Sequence, residues 1–277
     1  MIDNAQLAVA VHQNVAAALH EDIATGDLTA LLIPADRNAS AHLICRDAAV
    51  ICGRPWFEAC FRMLDSSFKV KWHADEGQPV LPDQILCEFS GNARALLTAE
   101  RTAINFLQTL SATATATRHL TQLTQGLSTL VMDTRKTIPG LRLAQKYAVL
   151  TGGGSNQRIG LFDGILIKEN HIAAAGGIAA ALAATQNAAV PVQIEVENLQ
   201  ELEAALQAGA VLILLDNFDL DQLRAAVKLT HGRAILEASG GIDMTNLRAI
   251  AETGVQRVSI GSITKHIQAV DLSMRMD

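Results

Sequence analysis

The spacing of apolar positions changes period twice along the chain. Leu7, Val11, Val15, Ala18 and Leu19 recur every three or four residues, which predicts an amphipathic first helix followed by a polar loop, Glu21–Thr29. From Ala39 to Phe89 the pattern breaks into short apolar or alternating pieces at Ser40–Cys45, Ala49–Cys52, Phe68–Trp72 and Gln84–Phe89, with one helical piece at Pro55–Leu64. Gly77, Pro79 and Pro82 supply turns, so a small antiparallel sheet with helices on one face is expected, an α+β unit. Between Asn92 and Leu123, Leu96, Leu97, Ile104, Leu107 and Leu110 restore helical spacing and predict one long helix bridging two domains.

After Leu130 the pattern becomes strand–helix alternation. Short apolar runs at Leu130–Met132, Gly164–Lys168, Val192–Glu197, Leu212–Asp216, Ala234–Glu237 and Arg257–Ile260 read as strands of a parallel sheet. Helical stretches at Leu199–Ala208, Leu220–Leu229 and Met244–Thr253 fill the gaps, which gives an α/β barrel or a closely related parallel sheet.

Each strand ends in something polar. In order these are Asp133 with Arg135 and Lys136, Lys168, Glu195 and Glu197, Asp216-Asn217, Ser239-Gly240-Gly241, and Gly261-Ser262. Chemistry in barrels sits at the carboxyl ends of strands, so these residues are site candidates. Arg135, Lys136 and Lys168, with Arg158 in the loop Gly152–Arg158, would draw an anion. Ser239-Gly240-Gly241 and Gly261-Ser262 offer exposed backbone N–H groups to a phosphomonoester. Glu197 and Asp216, on adjacent strands, suit Mg2+ bridging to phosphate oxygens. The plainer alternatives are that these carboxylates merely pair with Lys168 or Arg158, and that Arg101, in the long helix, is a surface residue. Gly152–Gly154 match neither a dinucleotide fingerprint nor a P-loop.

Composition narrows the class. Hydrophobic residues make up 49% of 277, enough for a buried core, and the formal net charge of −6 argues against nucleic acid as a partner. Cys45, Cys52, Cys60 and Cys87 form no Cys-x-x-Cys pair and read as reduced thiols of a cytoplasmic protein. No export leader is expected. The most membrane-like run, Ile172–Ala184, is short and made largely of Ala and Gly, so no membrane span is expected either.

Longer motifs then fall into a known order. Ala99–Phe106, Asp133–Thr137, the Gly152–Arg158 loop, Ile167–His171, Glu195–Glu197, Leu215–Asn217, Ser239–Gly241, Thr264–His266 and the early Glu21–Thr29 together resemble the quinolinate phosphoribosyltransferases over nearly the whole chain. The resemblance implies an N-terminal α+β sandwich domain (1–110) followed by an open α/β barrel (111–277), with the C-terminal end packing back on the first domain. It also implies a transferase that joins quinolinate to phosphoribosyl pyrophosphate (PRPP) with decarboxylation, using Mg2+, as a homodimer with a shared active site. By that resemblance Arg135, Arg158 and Lys168 bind the quinolinate carboxylates and Arg101 reaches in from the partner subunit. Lys136 contacts PRPP, Glu197 and Asp216 its magnesium or ribose hydroxyls, and Ser239, Gly240, Gly241, Gly261 and Ser262 its 5-phosphate. Lys136, Lys168, Glu197 and Asp216 are the implied catalytic set. Gln157 stands where the family usually has His, so a ring that can carry charge is replaced by a neutral amide at an implied quinolinate contact. Two other readings use the same residues: a Schiff-base aldolase with Lys168 as nucleophile, and a non-catalytic phosphate-ligand binding module.

Overall fold

The structure, a computed structural model, describes residues 2–277. In chain order the elements are α1 (Asn4–Ile23), β1 (Asn38–Cys45), β2 (Ala49–Val50), α2 (Arg54–Leu64), β3 (Lys69–Trp72), β4 (Pro79–Val80), β5 (Ile85–Asn92), α3 (Ala93–Leu123), β6 (Leu130–Met132), α4 (Arg142–Thr151) and β7 (Ile165–Ile167). They continue with α5 (Glu169–Ala175), α6 (Ile178–Ala183), β8 (Val192–Val196), α7 (Leu199–Gln207), β9 (Leu212–Asp216), α8 (Leu220–Thr230), β10 (Ile235–Ser239), α9 (Leu247–Ala251), β11 (Arg257–Ser259), α10 (Ser262–Lys265) and β12 (Leu272–Met276). Contacts divide the chain into two compact units. One runs through Arg118 and takes in Thr137–Gly153 and His266–Asp277; the other comprises His119–Lys136 and Gly154–Lys265.

The first unit is built on an antiparallel sheet in the order β12-β1-β5-β3. The last strand therefore lies beside the first, with Ala41 opposite Met276 and Cys45 opposite Leu272. Phe57, Phe61, Phe68 and Phe89 meet in its core, where the Phe61 and Phe68 rings stack at 4.7 Å between centroids. Helix α3 tolerates its Thr-Ala repeats because its hydroxyls bond back one turn: Thr115 Oγ1 donates to the Ser111 carbonyl at 2.7 Å, and Thr117 Oγ1 to that of Thr113 at 2.7 Å. Thr115 Oγ1 also accepts from the Val50 N–H at 2.8 Å, and Ser111 Oγ from Cys52 N–H at 3.0 Å, so hydroxyls that lower helix propensity tie α3 to β2 and the turn after it. The four thiols are buried and unpaired, and burial pushes Cys60 up to about 12.

The second unit is a parallel sheet in the order β6-β11-β10-β9-β8-β7. Its helices start on capping side chains: Asn198 Oδ1 accepts from Glu201 N–H ahead of α7, and Asp219 closes a capping box with Gln222 ahead of α8. Edge strands β6 and β7 are linked by the segment around Ser155–Gly164. Ser155 forms a parallel bridge to Met132 of β6, and Arg158 Nη1 donates to the Gly164 carbonyl just before β7 at 2.9 Å. This arrangement is an open α/β barrel, with the antiparallel sheet in the other unit. No helix among the described residues is long and apolar enough to cross a membrane.

Candidate active site

Register decides which strand-end residues meet. In a parallel ladder, paired residues share a face and side chains alternate along each strand. Leu166 pairs with Gln193, Glu195 with Leu214, Ser239 with Asp216, and Glu237 with Arg257, while Ser259 pairs with Met132. One face of the sheet therefore carries Gln193, Glu195, Leu214, Asp216, Glu237, Ser239 and Ser259. Continuing the alternation by one step beyond the strands adds Lys168, Glu197 and Gly261. The opposite face is apolar nearly throughout, with Ile194, Val196, Ile213, Leu215, Leu236, Ala238 and Val258 all buried. Right-handed crossovers put α7, α8 and α9 on that apolar side, leaving the polar face for the barrel interior.

At the mouth, Lys168 Nζ donates to Glu195 Oε2 at 2.7 Å. The alternative in which Glu197 or Asp216 is the ion-pair partner of Lys168 or Arg158 is not what the structure has: among the described residues neither carboxylate is in an ion pair. Lys168 N–H also donates to His171 Nδ1 at 3.0 Å, which shapes the first turn of α5 behind it. Burial and the nearby Arg135 guanidinium push Arg158 below the ordinary arginine range, with Asp163 opposing, so two guanidiniums share one neighbourhood. Cations crowded in this way favour an anion between them.

The carboxylates feel the reverse. Glu169, then slight burial, then Glu201, Asp216 and Glu195 raise the Glu197 carboxyl above its usual range. Burial and Glu195 raise Asp216, while Lys168 and Lys136 pull it down. Asp216 is thus placed within electrostatic reach of Lys136, Lys168 and Glu195. Among the described residues no three His, Cys, Asp or Glu side chains are gathered closely enough to hold a metal alone. Glu197 and Asp216 still fit Mg2+, because they are hard oxygen donors whose mutual repulsion a cation relieves, and Mg2+ ordinarily binds through one or two carboxylates plus water and substrate oxygens.

The two small-residue loops lie on neighbouring strands. Gly240 has φ +101°, and any Cβ there would overlap the side-chain oxygen of Asn217. Asn217 itself is left-handed at φ 57°, with its N–H on the Ser239 carbonyl at 2.9 Å and its amide on Asp216 Oδ2 at 2.8 Å. The end of β9 and the loop after β10 thus interlock only because residue 240 has no side chain. A Cβ on Gly261 would sit 2.9 Å from Lys136 Cδ, and Thr264 Oγ1 donates to the Lys136 carbonyl at 2.7 Å. Lys136 is therefore placed against the Gly261-Ser262 loop.

Two sequence candidates sit differently from the rest. Arg101 is exposed on α3 in the first unit, beside a cavity of about 210 Å³ lined also by Glu21, Asp22, Thr102 and Asn105. The loop after α1 is fastened to α3 through Thr98 Oγ1, which donates to Asp27 Oδ2 at 2.7 Å. Gln157 turns its amide onto the carboxylate of Glu237 inside the barrel. Sequence reasoning did not single out Glu237, Gln193 or the supporting role of Asp133. Asp133 is fully buried and accepts from Gln157 N–H at 2.8 Å and from the Asn156 amide at 2.7 Å. A charged residue inside an apolar strand was the available signal for Glu237.

Comparisons with known proteins agree along the length of the chain. Residues 24–111 match the N-terminal domain of quinolinate phosphoribosyl transferase, and residues 113–275 match its C-terminal domain. The chain is 39% identical to the probable nicotinate-nucleotide pyrophosphorylase [carboxylating] of Bacillus subtilis, covering 92% of this chain and 89% of that protein. It is 38% identical to the nicotinate-nucleotide pyrophosphorylase [carboxylating] of Mycobacterium leprae, covering 96% of each. The solved nicotinate-nucleotide pyrophosphorylase of Francisella tularensis superposes with a TM-score of 0.94 at 46% identity, over 98% of this chain and 97% of that one.

Proposed function

Since the chain belongs to the quinolinate phosphoribosyltransferase family, we propose how its residues divide the family's reaction. The enzyme is a pentosyltransferase that moves the phosphoribosyl group of PRPP to quinolinate with decarboxylation, giving nicotinate mononucleotide, CO2 and pyrophosphate in de novo NAD biosynthesis. The observation that carries the assignment of residues is the shared sheet face: the lysine, the two carboxylates and both phosphate loops all project from it.

Arg135, Arg158 and Lys168 bind the two quinolinate carboxylates. Guanidinium forks fit planar carboxylates, and the crowding of Arg158 by Arg135 supports an anion between them. The loops Ser239-Gly240-Gly241 and Gly261-Ser262 take the 5-phosphate of PRPP, and Lys136, packed against Gly261, takes its pyrophosphate. Glu197 and Asp216 would hold Mg2+ or meet the ribose hydroxyls, and the cation when bound would supply charge neutralisation to the leaving pyrophosphate.

The pyridine nitrogen attacks the anomeric carbon as the bond to pyrophosphate breaks. Positive charge develops on the sugar, and the carboxylates of Glu197 and Asp216 stabilise it while Lys136 stabilises the leaving group. Ribosylation leaves the ring nitrogen positive, so the adjacent carboxylate departs as CO2, its bonding electrons remain on the ring carbon beside a fixed positive charge, and a proton taken up from solvent at that carbon completes nicotinate mononucleotide. Arg101, exposed on α3, completes the quinolinate pocket of the partner in a homodimer, whose isologous pairing gives two such sites. The buried, unpaired thiols suit a reducing cytoplasm.

The assignment is tested by two variants whose effects must separate. Arg158→Ala raises KM for quinolinate and spares KM for PRPP, whereas Gly240→Ala raises KM for PRPP and spares that for quinolinate. Equal effects on both constants in both variants would contradict the division.

A further inference from the structure

We propose that Glu237 is a positioning residue for quinolinate, acting from the barrel interior through Gln157 to set Arg158. The inference rests on the assignment of Arg158 to quinolinate. Gly152 and Gly153 close α4, with their N–H groups on the Ala148 and Leu150 carbonyls at 2.9 Å each, and beyond Gly154 the chain leaves the helix and takes its shape from the contacts that hold it.

Main-chain ties hold one side of that segment. Ser155 N–H donates to the Val131 carbonyl at 2.8 Å, and Asp133 N–H to the Ser155 carbonyl at 3.0 Å. Asp133 then accepts from Gln157 N–H and from the Asn156 amide. These contacts dock Ser155–Gln157 along β6, and on the far side of Arg158 the chain is held by Asp163, which accepts from Ile159 N–H at 2.8 Å and from Gly160 N–H at 2.9 Å.

The second tie runs the other way. The Gln157 side chain enters the barrel and donates to Glu237 Oε1 on β10, two strands from β6 across the sheet. Glu237 is fully buried, and its other oxygen accepts from Gln193 Nε2 on β8 at 3.0 Å. Both donors are neutral amides, and among the described residues Glu237 forms no ion pair. A buried carboxylate without a cation is an expensive way to fill a barrel that apolar side chains would fill well. Its geometry accounts for its presence: it joins Gln157, in the segment between β6 and β7, to Gln193 on β8, one inward position below the Asp216–Ser239 pair. With Gln157 held at its main chain by Asp133 and at its side chain by Glu237, the following residue is presented in one orientation, with Arg158 Nη1 on the Gly164 carbonyl.

The experiment compares Gln157→Asn, Glu237→Gln, Glu237→Leu and Arg158→Ala in the full-length protein. Steady-state KM values for quinolinate and PRPP are measured, together with amide hydrogen exchange across residues 155–160. Gln157→Asn keeps an amide at the position but is one methylene too short to reach Glu237. It should raise KM for quinolinate about tenfold, leave KM for PRPP within about twofold, and speed exchange in 155–160; a direct substrate contact would instead show unchanged exchange. Glu237→Gln, whose amide can re-pair with both glutamines by flipping, should stay within about threefold of wild type in both constants. Glu237→Leu should resemble Gln157→Asn, and if it does not fold, the other two variants decide. Wild-type KM or unchanged exchange in Gln157→Asn, with Arg158→Ala impaired, overturns the proposal alone. An unimpaired Arg158→Ala overturns the underlying assignment as well.

Discussion

Lys168 Nζ lies 2.7 Å from Glu195 Oε2, joining the carboxyl ends of two adjacent strands, β7 and β8. The lysine is 48% exposed and the glutamate 13%, so the cation faces the mouth while its counter-charge is rooted in the wall. Lys168→Ala therefore does two things. It removes the quinolinate contact proposed for this lysine, which should lower kcat/KM by about a hundredfold or more. It also leaves Glu195 without its partner, lowering stability by about 1–3 kcal/mol, between an exposed and a buried broken pair. Steady-state kinetics and urea unfolding of the variant check both parts.

Asp133 anchors the glycine loop from the outer face of β6. Its two carboxylate oxygens each accept one hydrogen bond from the loop, and the residue is fully buried. Asp133→Ala should cost about 2–4 kcal/mol of stability, since hydrogen bonds to a charged group are worth more than neutral ones and two donors are orphaned. Asp133→Asn, which can satisfy one donor, should cost less. Urea titration of both variants gives the order.

Asp216 and Glu197 are held above the usual carboxylate range, the first mainly by burial and Glu195, the second mainly by Glu169. A carboxyl whose folded-state pKa is raised binds more protons folded than unfolded. Its destabilising contribution therefore appears as pH rises from the ordinary carboxylate pKa through the raised one, and it is full above that window. Asp216→Asn should raise Tm at pH 7.5 by roughly 1–2 °C and by less at pH 4.5, while abolishing activity. Mg2+ should likewise raise Tm of the wild type more at pH 7.5 than at pH 4.5. A Tm gain for Asp216→Asn that grows toward acid would contradict the repulsion argument. Scanning calorimetry at the two pH values distinguishes these outcomes.

Arg101 and Lys168 together test the proposed homodimer with a shared site. Arg101→Ala and Lys168→Ala should each be nearly inactive as pure dimers, yet a mixed dimer has one site with both residues and one with neither. Random exchange should restore about a quarter of wild-type activity, because half the dimers are mixed and each has one intact site. Exchange verified by mass with no recovery of activity would show that Arg101 acts within its own chain.

Much of this was legible in the sequence for a physical reason. The six barrel strands are short, uniformly apolar on the face turned to the helices, and end in polar residues, so both the period and the termini announced them. The strand ends Lys136, Lys168, Glu197, Asp216, Ser239 and Gly261 could be picked out because a buried parallel strand has little reason to end in such groups. Which carboxylate partners Lys168 was not legible, since Glu195 and Glu197 share a face and only register shows that Glu195 is level with the lysine. The tie between Gln157 and Glu237 was also hidden. It joins residues 80 apart in sequence across a barrel, and alternation by itself does not say which inward side chains meet. Strand β12 pairing with β1 has no local pattern behind it, and only the family resemblance pointed to the C-terminal end returning to the first domain.

The most direct measurement of the central claim is the stoichiometry of product release with PRPP and Mg2+ and either quinolinate or nicotinate as acceptor. Nicotinate, with one carboxylate, would leave part of a pocket of converging cations unpaired, at a cost of several kcal/mol. The account predicts one pyrophosphate and one CO2 per nicotinate mononucleotide formed from quinolinate, and turnover with nicotinate lower by at least about a thousandfold. Comparable pyrophosphate release with nicotinate, or ribosylation of quinolinate without CO2, would contradict it.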